Sequence, residues 1–277
     1  CDGTAASLRL IMDFGNTNNG GSYFFWPTLV NGTLFFALND GMHGREVWKT
    51  DGTAAGTMMV KDINPSVSST GPSNLISAGG LLYFFANDGI HGKELWKSDG
   101  TESGTTMVKD VYADISYNPP QLINVNGTVF FYADDGVHGY ELWKSDGTEA
   151  GTVMVKDIAP GLVGSWPRAL QNVNGELFFS ANNGVHGTEL WKSNGTKAGT
   201  VRVSDIAKGP YSSNPSSLFQ CGSRLFFQAN DTSQNRGDEL WALDVDTGAI
   251  RVEIEPNAAI VAGAQWRRVG SQQLALP

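Results

Sequence analysis

One phrase recurs through this 277-residue chain. Phe84-Phe85-Ala86-Asn87-Asp88-Gly89-Ile90-His91-Gly92-Lys93-Glu94-Leu95-Trp96-Lys97-Ser98-Asp99-Gly100-Thr101 returns with small changes, and its Glu-(Leu/Val)-Trp step falls at Trp48, Trp96, Trp143, Trp191 and Trp241. A near-constant period of this length means one supersecondary unit, copied and stacked. A unit that must stack on its own copies has little freedom in fold. It says less about activity, because repeated residues serve the stacking first.

The third copy shows what the unit is. Gln121–Val125 reads as a first strand, turned at Asn126-Gly127. Thr128–Ala133 is a second, rich in aromatic and β-branched residues. Asp134–Gly139 turns the chain into a third strand, Tyr140–Lys144, and Asp146-Gly147-Thr148 turns it into a fourth, Thr152–Ile158. Asn-Gly and Asp-Gly between such runs are hairpin signals, since Gly takes positive φ without steric cost. No stretch keeps a helical period over three turns. The second strand is apolar on both faces, as in Leu34-Phe35-Phe36-Ala37, which implies a sheet covered on both sides. Along the third strand Glu94, Trp96 and Ser98 point one way, Lys93, Leu95 and Lys97 the other.

Four short strands per copy, covered by like neighbours, predict an all-β fold: a β-propeller of four-stranded blades. Parallel β-helices use shorter periods, and sandwiches rarely repeat so faithfully. The copies run over 26–63, 72–111, 119–158, 167–206 and 215–254, with partial copies at 1–14 and 265–277, in one domain. The two partial copies predict a sixth blade shared between the termini, closing the ring and removing strand edges. The alternative is five blades plus partial repeats, because the shared blade lacks an evident third strand. An edge left there would recruit a strand from a neighbour and build an assembly.

Charge and composition exclude some functions. The formal net charge is −9 with no basic run, which argues against nucleic acid. No apolar stretch is long enough to span a membrane. Cys1 and Cys221 are open to two readings: a disulfide between adjacent blades, or Cys1 as a lipidated residue. Asn31, Asn126, Asn194 and Asn230 fit the N-glycosylation pattern, but the first three stand in Asn-Gly pairs, the expected hairpin turn.

Glu94–Thr101 and Glu141–Thr148, with the tails Gly104-Thr105 and Lys109-Asp110-Val111, resemble the bacterial ELWxxDGT-repeat family. The likeness covers most of the chain. Val47 departs from the pattern, as does the fifth copy, which reads Trp241-Ala242-Leu243-Asp244 and lacks the His and the Asp-Gly-Thr turn. The resemblance implies a secreted or cell-surface protein of an environmental bacterium and no defined reaction; a periplasmic location, or a lipid anchor at Cys1, is the alternative.

All four histidines, His43, His91, His138 and His186, share one repeat position, in the turn between second and third strands. A metal reading would take Asp88, His91 and Glu94 within one blade, with calcium as another cofactor to weigh. The plainer reading is that His fixes the turn by bonding to backbone, with no cofactor. Glu46, Glu94, Glu141, Glu189 and Glu239 stand two before the Trp and need partners if buried. Lys61, Lys109 and Lys156 on the fourth strand are the expected partners. Asp51, Asp99 and Asp146, and Asn194 in the fourth copy, read as turn-fixing acceptors.

No nucleophile elbow, phosphate loop or zinc-binding helix appears. Like groups repeated around a ring suit several equal contacts better than one active site. The sequence therefore predicts a non-enzymatic extracellular module for binding or structure, with a multivalent lectin as the alternative. A hydrolase or lyase using the central channel ranks last. The protein or glycan ligand is expected at the face shared by the His-bearing turns and the variable inter-repeat loops, which carry Tyr112, Tyr117, Trp166 and Tyr211.

Overall fold

The computed structural model describes residues 9–14, 24–65, 71–111, 121–231 and 237–245. The chain divides within the third repeat into two compact units: Cys1–Val137 with Trp143–Met154, and His138–Leu142 with Val155–Pro277. Every regular element among the described residues is a strand.

The repeats fold as separate antiparallel meanders. The first contains β1 (Phe24–Val30), β2 (Thr33–Asn39), β3 (Arg45–Thr50) and β4 (Met58–Lys61). The second contains β5 (Ser73–Ala78), β6 (Leu81–Asn87), β7 (Lys93–Ser98) and β8 (Thr106–Lys109). β9 (Ile123–Val125), β10 (Thr128–Asp134), β11 (Tyr140–Ser145) and β12 (Val153–Lys156) make the third. β13 (Arg168–Val173), β14 (Glu176–Asn182), β15 (Thr188–Ser193) and β16 (Val201–Arg202) make the fourth. The fifth has β17 (Ser216–Cys221), β18 (Arg224–Asn230) and β19 (Asp238–Asp244) among the described residues. In each sheet the strands lie in chain order. These are propeller blades. The expected fourth strand of the fifth copy and the blade shared by the termini fall outside the described residues, apart from 9–14.

The first strands differ from simple expectation. β9 begins only at Ile123. β1, β5, β13 and β17 each carry a register shift near their start. At that shift sits a left-handed residue that is not glycine: Trp26 (φ 50), Asn74 (φ 54), Ala169 (φ 52) or Ser217 (φ 53). Such a backbone costs about 1–2 kcal/mol. Its recurrence in four repeats marks the bulge as part of the design, re-aiming the chain as it enters each sheet.

The core lies between repeats. In the first unit Phe35, Ala37 and Val47 of one sheet meet Leu82, Phe84, Ala86 and Trp96 of the next in one buried cluster. In the second unit Phe178 and Leu190 meet Leu225, Phe227 and Trp241. The Trp of each Glu-x-Trp step thus turns towards the preceding repeat. At the front, Phe14 lies edge-on to Trp48 with ring centroids 5.2 Å apart.

Candidate functional site

The turn between second and third strands is built the same way wherever it is described. In the second repeat the Asp88 Oδ1 atom accepts N–H bonds from Ile90 and His91, both 2.9 Å. Its Oδ2 atom meets His91 Nδ1 at 2.7 Å. The first repeat repeats this with Asp40, Met42 and His43, the ring contact being 2.6 Å. The fourth uses Asn183, whose Nδ2 lies 3.1 Å from His186 Nδ1. His138 occupies the matching turn of the third repeat. The His side chain therefore bonds to the side chain at the turn's head, and that side chain holds the backbone. This differs from the backbone bond expected of His, because the short Asp reaches the N–H groups first. The side-chain bond to Asp40 raises the His43 pKa, and Asp88 does the same for His91. The backbone and His bonds outweigh burial and hold both Asp carboxyls below their ordinary value.

Of the triad Asp88, His91 and Glu94, the structure joins only the first two. Glu94 is buried at 1 % exposure, and its Oε2 accepts the N–H of Val111 at 3.0 Å. No group of three or more His, Cys, Asp or Glu able to hold a metal exists among the described residues.

In the first four repeats the repeated Glu instead anchors the loop that leaves the repeat. Glu46 accepts the N–H groups of Ile63 (3.1 Å) and Asn64 (3.4 Å). Glu189 accepts those of Ile206, Ala207 and Ser213, and the Ser213 hydroxyl at 2.7 Å. Glu141 holds Ala159 N–H and both donors of Ser165. The Ser, two residues before a Pro, was a signal available in the sequence and missed. Burial is the main cause raising the carboxyls of Glu46, Glu141 and Glu189, and it takes Glu46 up to about 7.

The expected Glu–Lys pairing is therefore wrong. Lys61, Lys109 and Lys156 donate instead to the carbonyls of Thr105, Thr152 and Thr200 in the following repeat, at 2.8–2.9 Å. Their ammonium groups also lie 5.7–6.0 Å from the ring centres of Trp96, Trp143 and Trp191. Lys61, Lys109 and Lys156 stay half-buried and keep part of their hydration, which an ammonium placed against the buried Glu would lose, so the carboxylate takes backbone donors instead.

The opposite turn is equally fixed. Asp99 Oδ1 accepts both the N–H (2.8 Å) and the hydroxyl (2.7 Å) of Thr101, and the Thr hydroxyl accepts Gly104 N–H. Asp51 and Asp146 do the same, and Asn194 keeps the arrangement with Thr196. A Cβ on Gly104 would stand 2.1–2.3 Å from the Asp99 carboxylate, which explains the Gly five residues after each Asp.

Loops and His turns do meet. Thr188 O accepts the N–H groups of Ser213 and Asn214, and Trp166 N–H bonds Tyr140 O at 3.0 Å. Trp166 is half-buried, with the Tyr140 ring 4.2 Å away and Arg168 above it at 5.5 Å. Tyr211 is 60 % exposed. Tyr112 and Tyr117 lie outside the described residues. The sequence reading passed over the turn tips: Met42, Ile90, Val137 and Val185 are all exposed. Cys221 is an exposed free cysteine at the end of β17; Cys1 lies outside the described residues.

No family model matches the chain, and no curated protein does. Solved structures do. A puromycin hydrolase matches with TM-score 0.53 and 18 % identity over 88 % of this chain and 39 % of its own. Prolyl oligopeptidase B from Galerina marginata, bound to a macrocyclization substrate, gives 0.52 and 12 % over 84 % and 38 %. A structure from a study of two prolyl endopeptidases gives 0.52 and 9 % over 84 % and 36 %. At these identities the likeness shows the propeller fold, and this chain spans under two-fifths of each of those proteins.

These matches correct the expected function. A non-enzymatic binding or structural module was inferred from the repetition itself, and the lectin alternative with it. The matching propellers are domains of peptidases. Repeated structural groups on blades say nothing about a reactive group carried beside them, so the inference from repetition to a non-enzymatic role fails. No helix among the described residues is long and apolar enough to cross a membrane.

Proposed function

We propose that this chain is the propeller domain of a secreted or cell-surface hydrolase acting on peptides, with the catalytic groups outside this chain and no metal or other cofactor in the propeller. The observation that carries the reading is the shared fold with puromycin hydrolase and prolyl endopeptidases, of whose length it spans under two-fifths. The fate of the repeated acid–base groups supports it. Glu46, Glu94, Glu141 and Glu189 and the turn Asp residues accept backbone N–H groups, and His43 and His91 are engaged by Asp, leaving these groups as scaffold. The likeness to ELWxxDGT repeats supports the extracellular location. Peptide is the ligand class at the loop face.

The test is hydrolysis of puromycin and of a prolyl-peptide p-nitroanilide by the native-length protein and by residues 1–277 alone. The expected result is turnover by the former and none by the latter. Turnover by residues 1–277 alone, or none by the native-length protein, overturns the reading.

A further inference from the structure

One end of the second sheet carries a serine and a lysine whose polar groups the fold does not use. Ser73 opens β5 opposite Phe85, and Lys93 opens β7 opposite Asn87, two residues further along β6. Residues directly opposite on antiparallel strands, and residues two apart on one strand, share a sheet face. Ser73 and Lys93 therefore lie on one face, with Phe85, whose ring stands 5.9 Å from that of Phe131 in the third repeat. Two strand spacings, about 10 Å, separate their backbones, within reach of a long side chain leaning across. The first repeat shows that side chains at these two positions meet. Its residues there are Phe25 and Arg45, and the guanidinium lies 5.4 Å from the Phe25 ring centre.

Neither group is satisfied within the protein. Ser73 is 4 % exposed, and its buried hydroxyl has no hydrogen-bond partner. A hydroxyl held so costs free energy and calls for an explanation. The Lys93 ammonium is half-buried and makes no hydrogen bond or ion pair among the described residues. Its neighbours on the same kind of sheet face do: Lys49 donates to Gly100 O and Lys97 to Gly147 O, both at 2.7 Å. Burial first, and then the Arg45 charge, lower the Lys93 pKa, and no carboxylate among the described residues offsets them. The combination is confined to this repeat among those with both positions described. The fourth repeat has Arg168 and Thr188 there, and the fifth has Ser216 with Asp238, whose charge would repel what Lys93 attracts.

We propose that Ser73 and Lys93 form a binding site for one oxyanion group, a carboxylate or a phosphate. The ammonium donates charge-assisted N–H bonds to one oxygen, and the serine O–H donates to the same group. An anion satisfies the hydroxyl and the ammonium together, whereas a cation would be repelled by Lys93 and a neutral apolar group would leave both unpaired. Arg45 adds a second positive charge nearby. The site does not depend on the hydrolase reading.

The test melts the 277-residue chain, Ser73→Ala and Lys93→Met in sodium phosphate and in sodium acetate, against sodium chloride at equal ionic strength and neutral pH. At about ten times its Kd the bound anion should raise the wild-type Tm by about 2–4 °C over chloride, saturating with concentration. Lys93→Met should abolish the rise. Ser73→Ala should weaken the anion about tenfold. In chloride Ser73→Ala should melt no lower than wild type, because it removes a buried hydroxyl that has no partner. With ε-13C-lysine NMR, the Lys93 resonance should shift saturably with the same Kd, while that of Lys61, held by Thr105 O, stays in place.

Tighter phosphate than acetate assigns the site to a phosphate group, and tighter acetate assigns it to a carboxylate; either supports the proposal. No saturable rise beyond chloride overturns it. So does a rise that persists in Lys93→Met, which marks an anion bound elsewhere. So does a Ser73→Ala variant that melts lower in chloride and binds as wild type, which makes the hydroxyl structural. If Lys93→Met does not fold, Lys93→Gln takes its place, and the NMR titration of wild type against Ser73→Ala reads the Kd without either.

Discussion

The junction between the first and second repeats and that between the fourth and fifth solve one problem differently. Both bury an aliphatic and aromatic seam with the Glu-x-Trp indole in it. The first adds two lysine clamps: Lys49 Nζ to Gly100 O at 2.7 Å and Lys61 Nζ to Thr105 O at 2.9 Å. The fourth–fifth junction has neither. The fifth copy lacks the Asp-Gly-Thr turn, so Lys192 pairs with Glu176 of its own sheet at 3.2 Å. Ser204 replaces the fourth-strand Lys. In exchange, Trp241 Nε1 donates to Ala229 O at 3.0 Å, while the buried Nε1 atoms of Trp96 and Trp191 have no partner. Gln220 also reaches Asn174 at 2.6 Å. Apolar burial is thus the shared requirement of stacking, and polar clamps are an addition that fixes which turn meets which sheet.

The sharpest way to break this comparison is to remove the indoles. Trp96→Ala and Trp241→Ala should each cost about 3–5 kcal/mol in urea denaturation, as large buried aromatics do. Trp241→Ala should cost more, since it also removes an indole hydrogen bond. A loss below about 1 kcal/mol at Trp96 would show that the seam does not carry the stacking.

The loop anchors come next. The Glu46 carboxyl lies well above its unfolded value, so its contribution to stability is full below about pH 4.5 and is lost as pH rises through about 7. Glu46→Gln should flatten that fall, by at most about 3 kcal/mol, in melting curves from pH 4.5 to 8. Glu141 and Glu189 act with the same sign. So do His43 and His91, whose raised pKa favours the fold below about 6.5. Asp51, Asp99 and Asp146 act oppositely: their depressed carboxyls stabilise above about pH 3.8 and lose this as pH falls further. An unchanged slope in Glu46→Gln would mean that the folded carboxyl titrates like the unfolded one and is already ionised at neutral pH.

A smaller effect sits at the turn. Gly104→Ala should cost about 1–3 kcal/mol, because its Cβ would force the Asp99 carboxylate aside. Asp99→Asn should be nearly neutral, since Asn194 already makes the same bonds. The smallest effect separates the two junctions. Lys61→Met should cost about 1 kcal/mol, and Lys192→Met, with its exposed ion pair, less than about 0.5. Equal costs would erase the distinction between the junctions.

The sequence by itself determined the blade. Period, turn residues and the doubly apolar second strand act locally, through hairpin geometry and strand alternation, so they can be read without coordinates. It also determined that Asp51, Asp99, Asp146 and Asn194 serve their turns, because an Asx side chain reaches only two or three residues along the chain. Tertiary structure decided the partners of every group that reaches further. Glu46 and Lys61 look paired along neighbouring strands, yet one turns to the outgoing loop and the other to the next repeat. Spacing within a repeat carries no information about what a neighbouring repeat presents. The bulge at Trp26, Asn74, Ala169 and Ser217 was hidden for the same reason: four unlike residues share one backbone, set by how the chain enters the sheet. The exposed tips were visible as letters, but only burial distinguishes an aliphatic residue at the surface from one in the core.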